Sequence, residues 1–528
     1  MHRRLDCRAK RWLGVMLCAL SWTGPLGLAA QVPLSQQSLR AEVEKVLNQP
    51  QFDAGFWGVH IVALKTGEVL FSSSAQKRFI PASNMKLLVA AAALDTWGPE
   101  FRFQTEVCLE GRLDPDGKAL GNIVLVGTGD PNFEQRIYTP EKLSPPTTLL
   151  PESVLSLADQ VLAHGVRHLE GDVIADERAF AFEPVSDSWS LGYLQWSYGA
   201  KASSIAVNEN VFTLQILPGN EVGDPATTQT WPRAGVPAVV NQLVTAKARG
   251  PVSLTIKSSL GGGEFRLLGQ LPLRHSQLVY QLPVPDPGEF AAQLLKAALE
   301  EKGIAVAGQA TSRKLDLPEP LELARNRTPI AISCDESLRL AERVSLPLRS
   351  TLEIMMKESQ NLYAEMLLRK LGWQASGIGS LNSGLDAVNR FLDKAGVERK
   401  ELSLTDGSGL SRTGQITPRA LVQLLQHMNG HPQGPAFLAL LPVSGLDGTL
   451  KNRMRRSAAQ GRVHAKTGSL GLVSTLSGYV VAAHNEKLAF SIMANHHATP
   501  SREVSTAMDQ ICDLMVAYDS QAADEPAN

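Results

Sequence analysis

Three short motifs have the residue types and spacing for acyl transfer through a serine. Ser83-Asn84-Met85-Lys86 sets a hydroxyl three residues before a lysine, Ser359-Gln360-Asn361 sets a hydroxyl two residues before an amide, and Lys466-Thr467-Gly468 follows. A serine hydroxyl is a weak nucleophile until a neighbouring base takes its proton, and lysine can be that base where burial disfavours its charged form. Three residues apart on a helix, Ser83 and Lys86 share a face, so the amine reaches the hydroxyl. Ser359 and Asn361 fall in a loop between two helical patterns, from which both side chains can enter a cleft. Lys466-Thr467-Gly468 ends the alternating run Arg462-Val463-His464-Ala465, where an edge strand can bind an extended substrate through its backbone.

Taken singly, each motif is more often a helix cap, a solvated lysine or a strand-end charge. The chain also carries decoys for all three: Ser74-Ala75-Gln76-Lys77, Ser380-Leu381-Asn382 and Lys65-Thr66-Gly67. Local context separates them. Ser74 heads no apolar helix, Ser380 lies in the Gly-rich connection 377–384, and Lys65-Thr66-Gly67 is a hairpin turn that precedes the nucleophile. The remaining three stand in the order that serine acyl-transfer enzymes of this type use.

The elements that must position these residues read as follows. Apolar spacing predicts a helix over 35–48, then two strands, 58–64 and 68–72, about the turn at Lys65-Thr66-Gly67. A helix buried on all sides follows Ser83, with Leu87 to Leu94 wholly apolar, and stops at Gly98-Pro99. From 101 to 330 the pattern changes to short β-like runs, such as 123–126 and 211–216, with an occasional helix such as 153–164. Helical patterns return at 352–357, 362–371, 385–395 and 418–428; strands at 473–481 and 487–493 and a helix over 501–518 complete the chain. The expected fold class is α/β (α+β). A domain built from 31–100 and 331–519 is split by a β-rich insertion at 101–330 that reads as two nested subdomains, and 520–528 is a tail.

The 528 residues carry 51 basic and 52 acidic groups, 44% hydrophobic and 20% charged residues, which is the balance of a globular protein. No basic cluster follows the first dozen residues, so nucleic acid is not an expected partner. Residues 1–30 have the order of a secretory signal peptide: Arg3, Arg4, Arg8, Lys10 and Arg11, an apolar run from Trp12 to Leu28, then Ala29 and Ala30. Their removal takes away five basic residues and one acidic residue, which leaves a net charge of −5 and the three cysteines Cys108, Cys334 and Cys512. Three cysteines without C-x-x-C spacing allow one disulfide at most. No later segment is apolar for long enough to span a bilayer, so membrane contact is expected to be peripheral or absent.

With Asp406-Gly407-Ser408-Gly409-Leu410-Ser411-Arg412 added, the chain resembles the serine D-alanyl-D-alanine carboxypeptidase/endopeptidase family, the class C low-molecular-mass penicillin-binding proteins. The resemblance also rests on Pro81 to Leu88, Gly127-Thr128-Gly129-Asp130-Pro131, Asn208-Glu209-Asn210, Leu441 to Gly445 and Lys466 to Leu470, and on the 272 residues between the first two motifs. It implies a penicillin-recognising transpeptidase/β-lactamase-like fold, peptidoglycan stem peptides and β-lactam antibiotics as partners, a periplasmic location, and no metal or cofactor. Ser83 would be the acylated nucleophile and Lys86 its general base. Ser359 would protonate the leaving D-alanine with support from Lys466, and Asn361 would hold the substrate amide. Thr467 and Lys466 would bind the terminal carboxylate, with Gly468 beside them and the N–H groups of Ser83 and Ser469 as oxyanion hole. Arg412 would meet a carboxylate of the stem peptide or pair with Asp406. One departure is Tyr193, near which the family often has an acidic residue.

Two rival functions share parts of this pattern. A class A β-lactamase adds a glutamate between the second and third motifs, whereas the E-x-x-x-N strings here, at Glu44 and Glu322, both precede the second. A non-catalytic wall-binding protein would be free to lose Ser83, Lys86 or Lys466, and this chain keeps all three.

Overall fold

The computed structural model describes residues 33–133, 150–259, 261–315, 334 and 339–523. The signal peptide expected at 1–30, the Glu322–Asn326 string and the last five residues of the tail lie outside them. Among the described residues no helix is long and apolar enough to cross a membrane.

From the N-terminal side come α1 (Gln36–Leu47), β1 (Phe56–Ala63), β2 (Val69–Ser73) and α2 (Lys86–Trp97). The middle of the chain forms β3 (Gln104–Leu113), β4 (Lys118–Val126), α3 (Glu152–Ala163), β5 (His168–Leu169), β6 (Val173–Ala181), β7 (Val211–Leu217) and β8 (Thr227–Trp231). It continues through β9 (Ala238–Ala246), β10 (Ser253–Ser258), β11 (Glu264–Pro272), β12 (Leu278–Pro283), α4 (Pro287–Glu301), β13 (Ala305–Val306), β14 (Ala310–Leu315) and β15 (Arg339–Val344). Then follow α5 (Leu348–Lys357), α6 (Asn361–Ser376), α7 (Leu381–Lys394), β16 (Leu402–Ser403), β17 (Gln415–Ile416), α8 (Pro418–Gly430) and α9 (Gly434–Leu440). The last elements are β18 (Val463–Leu470), β19 (Val473–Val481), β20 (Lys487–Asn495) and α10 (Ser501–Ala517).

Both ends of the chain meet in one five-stranded antiparallel sheet of order β18-β19-β20-β1-β2. Side chains alternate across a strand, so this sheet has two apolar faces to cover. On one face Val59, Ile61, Leu476 and Ile492 pack with Leu39 and Val43 of α1 and Met508 and Ile511 of α10. On the other, Val62, Tyr479 and Met493 pack with the helices α2, α5, α6 and α8. Every residue of α2 from Lys86 to Leu94 is buried, which is where its apolar run has to lie. Truncating one such leucine to alanine would cost about 2–5 kcal/mol.

The middle of the chain has its own core. A seven-stranded sheet holds β13-β5-β4-β3-β15, with β6 on β4 and β14 on β6. Two three-stranded sheets, β10-β11-β9 and β12-β7-β8, contribute Phe212, Phe265 and Leu267 to the same apolar cluster as Phe290 and Leu294 of α4, a helix that packs on β6 and β14. Because β15 pairs with β3, this sheet takes in residues beyond 330. A disulfide between Cys108 of β3 and Cys334 closes the same layer, and Cys512 is a buried thiol on α10.

Two local expectations change. Asn361 is the first residue of α6 rather than a loop residue, because the side chain of Gln360 accepts from the Leu362 N–H and caps the helix. Ser380 is more than a connection: its side chain accepts from the Ser383 N–H and completes a capping box that starts α7.

Candidate active site

The nucleophile candidate stands on a 3₁₀ turn, 82–85, that leads into α2. Ala82 before it has φ of 46°, a left-handed conformation that costs a non-glycine residue energy and must be held from outside. The holding groups are visible. Asn84, fully buried, donates to Ser477 Oγ on β19 at 2.7 Å, and Thr475 Oγ1 donates to the Pro81 carbonyl at 2.8 Å. Ser83 is thereby fixed against the sheet, half-buried and facing the end of β18.

Lys86 is wholly buried, and its Nζ lies 2.9 Å from Ser83 Oγ, 2.7 Å from Asn361 Oδ1 and 2.7 Å from the Ser408 carbonyl. Burial lowers its pKa from 10.5 to about 7, against the opposing charges of Asp406 and Glu365. A neutral lysine has two N–H groups and one lone pair. The amide oxygen of Asn361 and the Ser408 carbonyl are acceptors only, so they take the two N–H groups and leave the lone pair directed at the Ser83 hydroxyl. This is the geometry a general base needs.

Ser359, with φ of 62°, sits between α5 and α6, and Lys466 donates to its Oγ at 2.8 Å and to the Thr467 carbonyl at 2.9 Å. Lys466 is also fully buried; burial first, and then the charge of Lys86, lowers its pKa well below the ordinary value. Asn361 Nδ2 donates to the Tyr198 carbonyl at 2.9 Å, which brings the middle of the chain to the same cleft. The five side chains therefore form two hydrogen-bonded groups, Ser83 with Lys86 and Asn361, and Ser359 with Lys466, whose lysines are near enough for each charge to be felt by the other.

β18 lies at the edge of the sheet, but its outer side is only partly free. The Ala465 N–H donates to the Pro442 carbonyl and the Ser444 N–H to the Val463 carbonyl, so the 442–444 segment covers the first half of the edge. The stretch from Lys466 to Leu470 stays available to an extended peptide. Within it, Thr467 Oγ1 donates to Thr449 Oγ1 at 2.7 Å and Ser469 is exposed. Gly468 has no room for a side chain: an added Cβ would lie 2.3 Å from Thr475 Oγ1, 2.7 Å from the Pro81 carbonyl oxygen and 2.9 Å from Ser83 N. The glycine lets this strand lie against the nucleophile.

Arg412 is exposed and donates to the Gly471 carbonyl at the turn after β18. It does not pair with Asp406, whose oxygens accept from the Gly409 and Ser411 N–H groups and from Trp189 Nε1. The Glu44 string lies on α1, on the sheet face opposite α2. Several participants carried no assigned role in the sequence: the carbonyls of Ser408 and Tyr198, and Glu209, which accepts from Gln360 Nε2 at 2.6 Å and Tyr363 Oη at 3.2 Å. The runs Asn208-Glu209-Asn210 and Asp406 to Arg412 marked their neighbourhoods, but a backbone acceptor has no signature in residue type.

A profile of the D-Ala-D-Ala carboxypeptidase 3 (S13) family matches residues 39–515, which is most of the chain and includes all three motifs. The chain belongs to the S13 family. It is 33% identical to a D-alanyl-D-alanine carboxypeptidase of Actinomadura sp. (strain R39) over 500 residues, 93% of this chain and 86% of that one. The fold is similar to that of penicillin binding protein 4 from Haemophilus influenzae, at a TM-score of 0.76 and 20% identity over 90% of this chain and 99% of that one. The same H. influenzae protein complexed with a β-lactam matches at a TM-score of 0.70 and 21% identity, over 89% of this chain and 98% of that one. For this S13 chain the fold is thus the penicillin-recognising one, and the enzyme class is serine D-alanyl-D-alanine carboxypeptidase.

Proposed function

We propose that the chain cleaves the D-alanyl-D-alanine end of peptidoglycan stem peptides through an acyl-Ser83 intermediate, and that β-lactams acylate the same serine. The observation that carries this mechanism is the position of Lys86 Nζ, 2.7 Å from each of two groups that only accept, Asn361 Oδ1 and the Ser408 carbonyl, and 2.9 Å from the Ser83 hydroxyl.

Lys86 removes the Ser83 proton as Oγ attacks the carbonyl carbon of the penultimate D-alanine. The N–H groups of Ser83 and Ser469 hold the oxyanion, an electrostatic contribution of about 10²–10³-fold per donor. Ser359, hydrogen-bonded to Lys466, passes its proton to the leaving amine and is reprotonated with the proton Lys86 took from Ser83, so the C–N bond breaks to release D-alanine, the serine ester remains and Lys86 is neutral again. Water, deprotonated by the same machinery, then attacks the ester and restores the Ser83 hydroxyl. Lys466, Thr467 and, at the cleft rim, Arg412 bind the substrate carboxylates, while Asn361 and the free half of β18 hold its backbone.

Endopeptidase action on D-alanyl cross-links uses the same acyl-enzyme and is included in the proposal. So is the division into a catalytic domain from both ends of the chain and an inserted region that walls the cleft. Export to the periplasm belongs with it, supported by the basic-then-apolar order of residues 1–30 and by the Cys108–Cys334 disulfide, a bond of oxidising compartments. The test is a synthetic stem pentapeptide ending in D-Ala-D-Ala incubated with purified protein and followed by mass spectrometry. Loss of one alanine is expected, with none from the L-Ala-terminated peptide; loss from neither would refute the reading.

A further inference from the structure

Behind the base lies a set of buried groups to which the mechanism above gives no task. The Ser408 carbonyl that faces Lys86 belongs to the same planar peptide unit as the N–H of Gly409. In a trans peptide the two point in opposite directions, so whatever grips that N–H aims the carbonyl. The group that grips it is Asp406, whose Oδ1 accepts from Gly409 N at 2.9 Å. Its Oδ2 accepts from Ser411 N at 2.7 Å and from the indole Nε1 of Trp189 at 2.9 Å. Glu365 on α6 fixes the other side of the same turn, accepting from Gly407 N at 3.0 Å and Ser408 N at 2.8 Å, and is itself paired with Arg369 at 3.0 Å. Gly409, with φ of 77°, allows the turn to press on the residue before the nucleophile, since an added Cβ would lie 1.8 Å from the Ala82 carbonyl oxygen.

We propose that Asp406 is the positioning residue for the general base: by holding the Gly409 N–H it directs the Ser408 carbonyl onto Lys86, and Trp189, from the inserted region, holds Asp406 in turn. The proposal rests on Lys86 being the base. It also gives the insertion a task, because one indole N–H from it reaches the group that orients the catalytic amine.

Asp406 is fully buried, and its three N–H partners suit a carboxylate rather than an acid. Burial, and next the charge of Glu365, raise its pKa, while these donors oppose the rise. The charged groups facing Lys86 are then Asp406 and Glu365, which favour the ammonium, and Lys466, which interacts with Lys86 repulsively. Asp406→Asn keeps the shape but places an NH₂ where a carboxylate oxygen accepted an N–H, and it removes one negative charge. The first change loosens the aim of the carbonyl; the second makes the neutral lysine available at lower pH.

The test is the second-order rate of acylation by benzylpenicillin, read by mass spectrometry between pH 5.5 and 9 on full-length folded protein. Asp406→Asn is expected to lose about 10²-fold in rate, the effect of a misplacement of about 1 Å. Its ascending limb is expected to move to lower pH by about one unit, the effect of deleting a nearby opposite charge. Trp189→Phe, which removes one of the three N–H donors to Asp406 and leaves the Ser408 hydroxyl as well, is expected to move both in the same directions by less, and it carries the test if the first variant does not fold. A folded variant whose rate stays within roughly threefold of wild type overturns the proposal. So does a reduced rate with an unmoved limb, because a purely structural role would lower the amount of competent enzyme without changing its titration. Wild-type protein that forms no adduct would instead overturn the acyl-enzyme reading itself.

Discussion

Gly468→Ala is the sharpest perturbation that the packing around Ser83 offers. The glycine has ordinary backbone torsions, so the substitution acts through its methyl group alone. That methyl would meet Thr475 Oγ1 at 2.3 Å, the Pro81 carbonyl oxygen at 2.7 Å and Ser83 N at 2.9 Å, where unstrained contacts of carbon lie near 3.5 Å. Relief requires β18 to withdraw from the nucleophile by about 1 Å, and as an edge strand whose outer side is open from Lys466 on it is free to do so. The stability cost is therefore at the low end of overpacking, about 1 kcal/mol. The catalytic cost is larger: withdrawal separates Ser469 from Ser83 and breaks the aim of the oxyanion donors, which is worth about 10²–10³-fold. Removing the Thr475 hydroxyl as well does not restore the rate, because two of the three clashes are with backbone atoms. The assay is benzylpenicillin acylation and D-alanine release, with calorimetric Tm as the folding control. Acylation within roughly threefold of wild type would refute the claim that the close approach of β18 builds the site.

Further outcomes follow from burial and cross-linking. Because burial holds the Lys86 pKa at about 7, the neutral amine is present above that pH, so acylation should rise tenfold per pH unit below pH 7 and level off above it; a limb centred above pH 9 would contradict a neutral lysine base. The disulfide closes a loop of 226 residues, for which the chain-entropy relation gives about 5 kcal/mol. Cys108→Ser should therefore lower the denaturation midpoint while leaving acylation of the folded protein intact, and equal midpoints would count against it. Glu177, buried on β6, has its pKa raised to about 7 by burial, a rise that its hydrogen bond from Ser203 opposes. Folded-state protonation then supplies stability that is full below pH 4.5 and lost as pH rises through 7, so Glu177→Gln should gain about 3 kcal/mol over wild type at pH 8 and nothing at pH 4. Urea midpoints at the two pH values decide it; an advantage independent of pH would be the wrong result.

Much of this molecule was legible where side-chain type carries the information. The apolar run after Ser83 announced α2, the strand-like run at 473–481 matched β19 residue for residue, and the order of three motifs located the two lysines and their hydroxyls. The hydrogen bonds that define the site were not legible, because half of the acceptors around Lys86 and Asn361 are main-chain carbonyls, from Ser408 and Tyr198. The partial covering of β18 by 442–444 was hidden for the same reason, since Pro442 and Ser444 contribute backbone atoms. Arg412 shows the opposite case. Its type suggested a partner at Asp406, yet that carboxylate is buried and saturated by nearer N–H groups, so the guanidinium turns out to Gly471. The need for glycine at 468 is visible in the sequence only as part of a tripeptide; its cause, the proximity of Ser83 N, appears with the fold.

The central claim is that Ser83 is the acylated residue and Lys86 the group that activates it. Incubation of the purified protein with benzylpenicillin, followed by proteolysis and mass spectrometry, should place one drug adduct on the peptide that contains Ser83, slowly hydrolysed, absent in Ser83→Ala and strongly retarded in Lys86→Met. An adduct on any other serine, or none on folded wild-type protein, would contradict it.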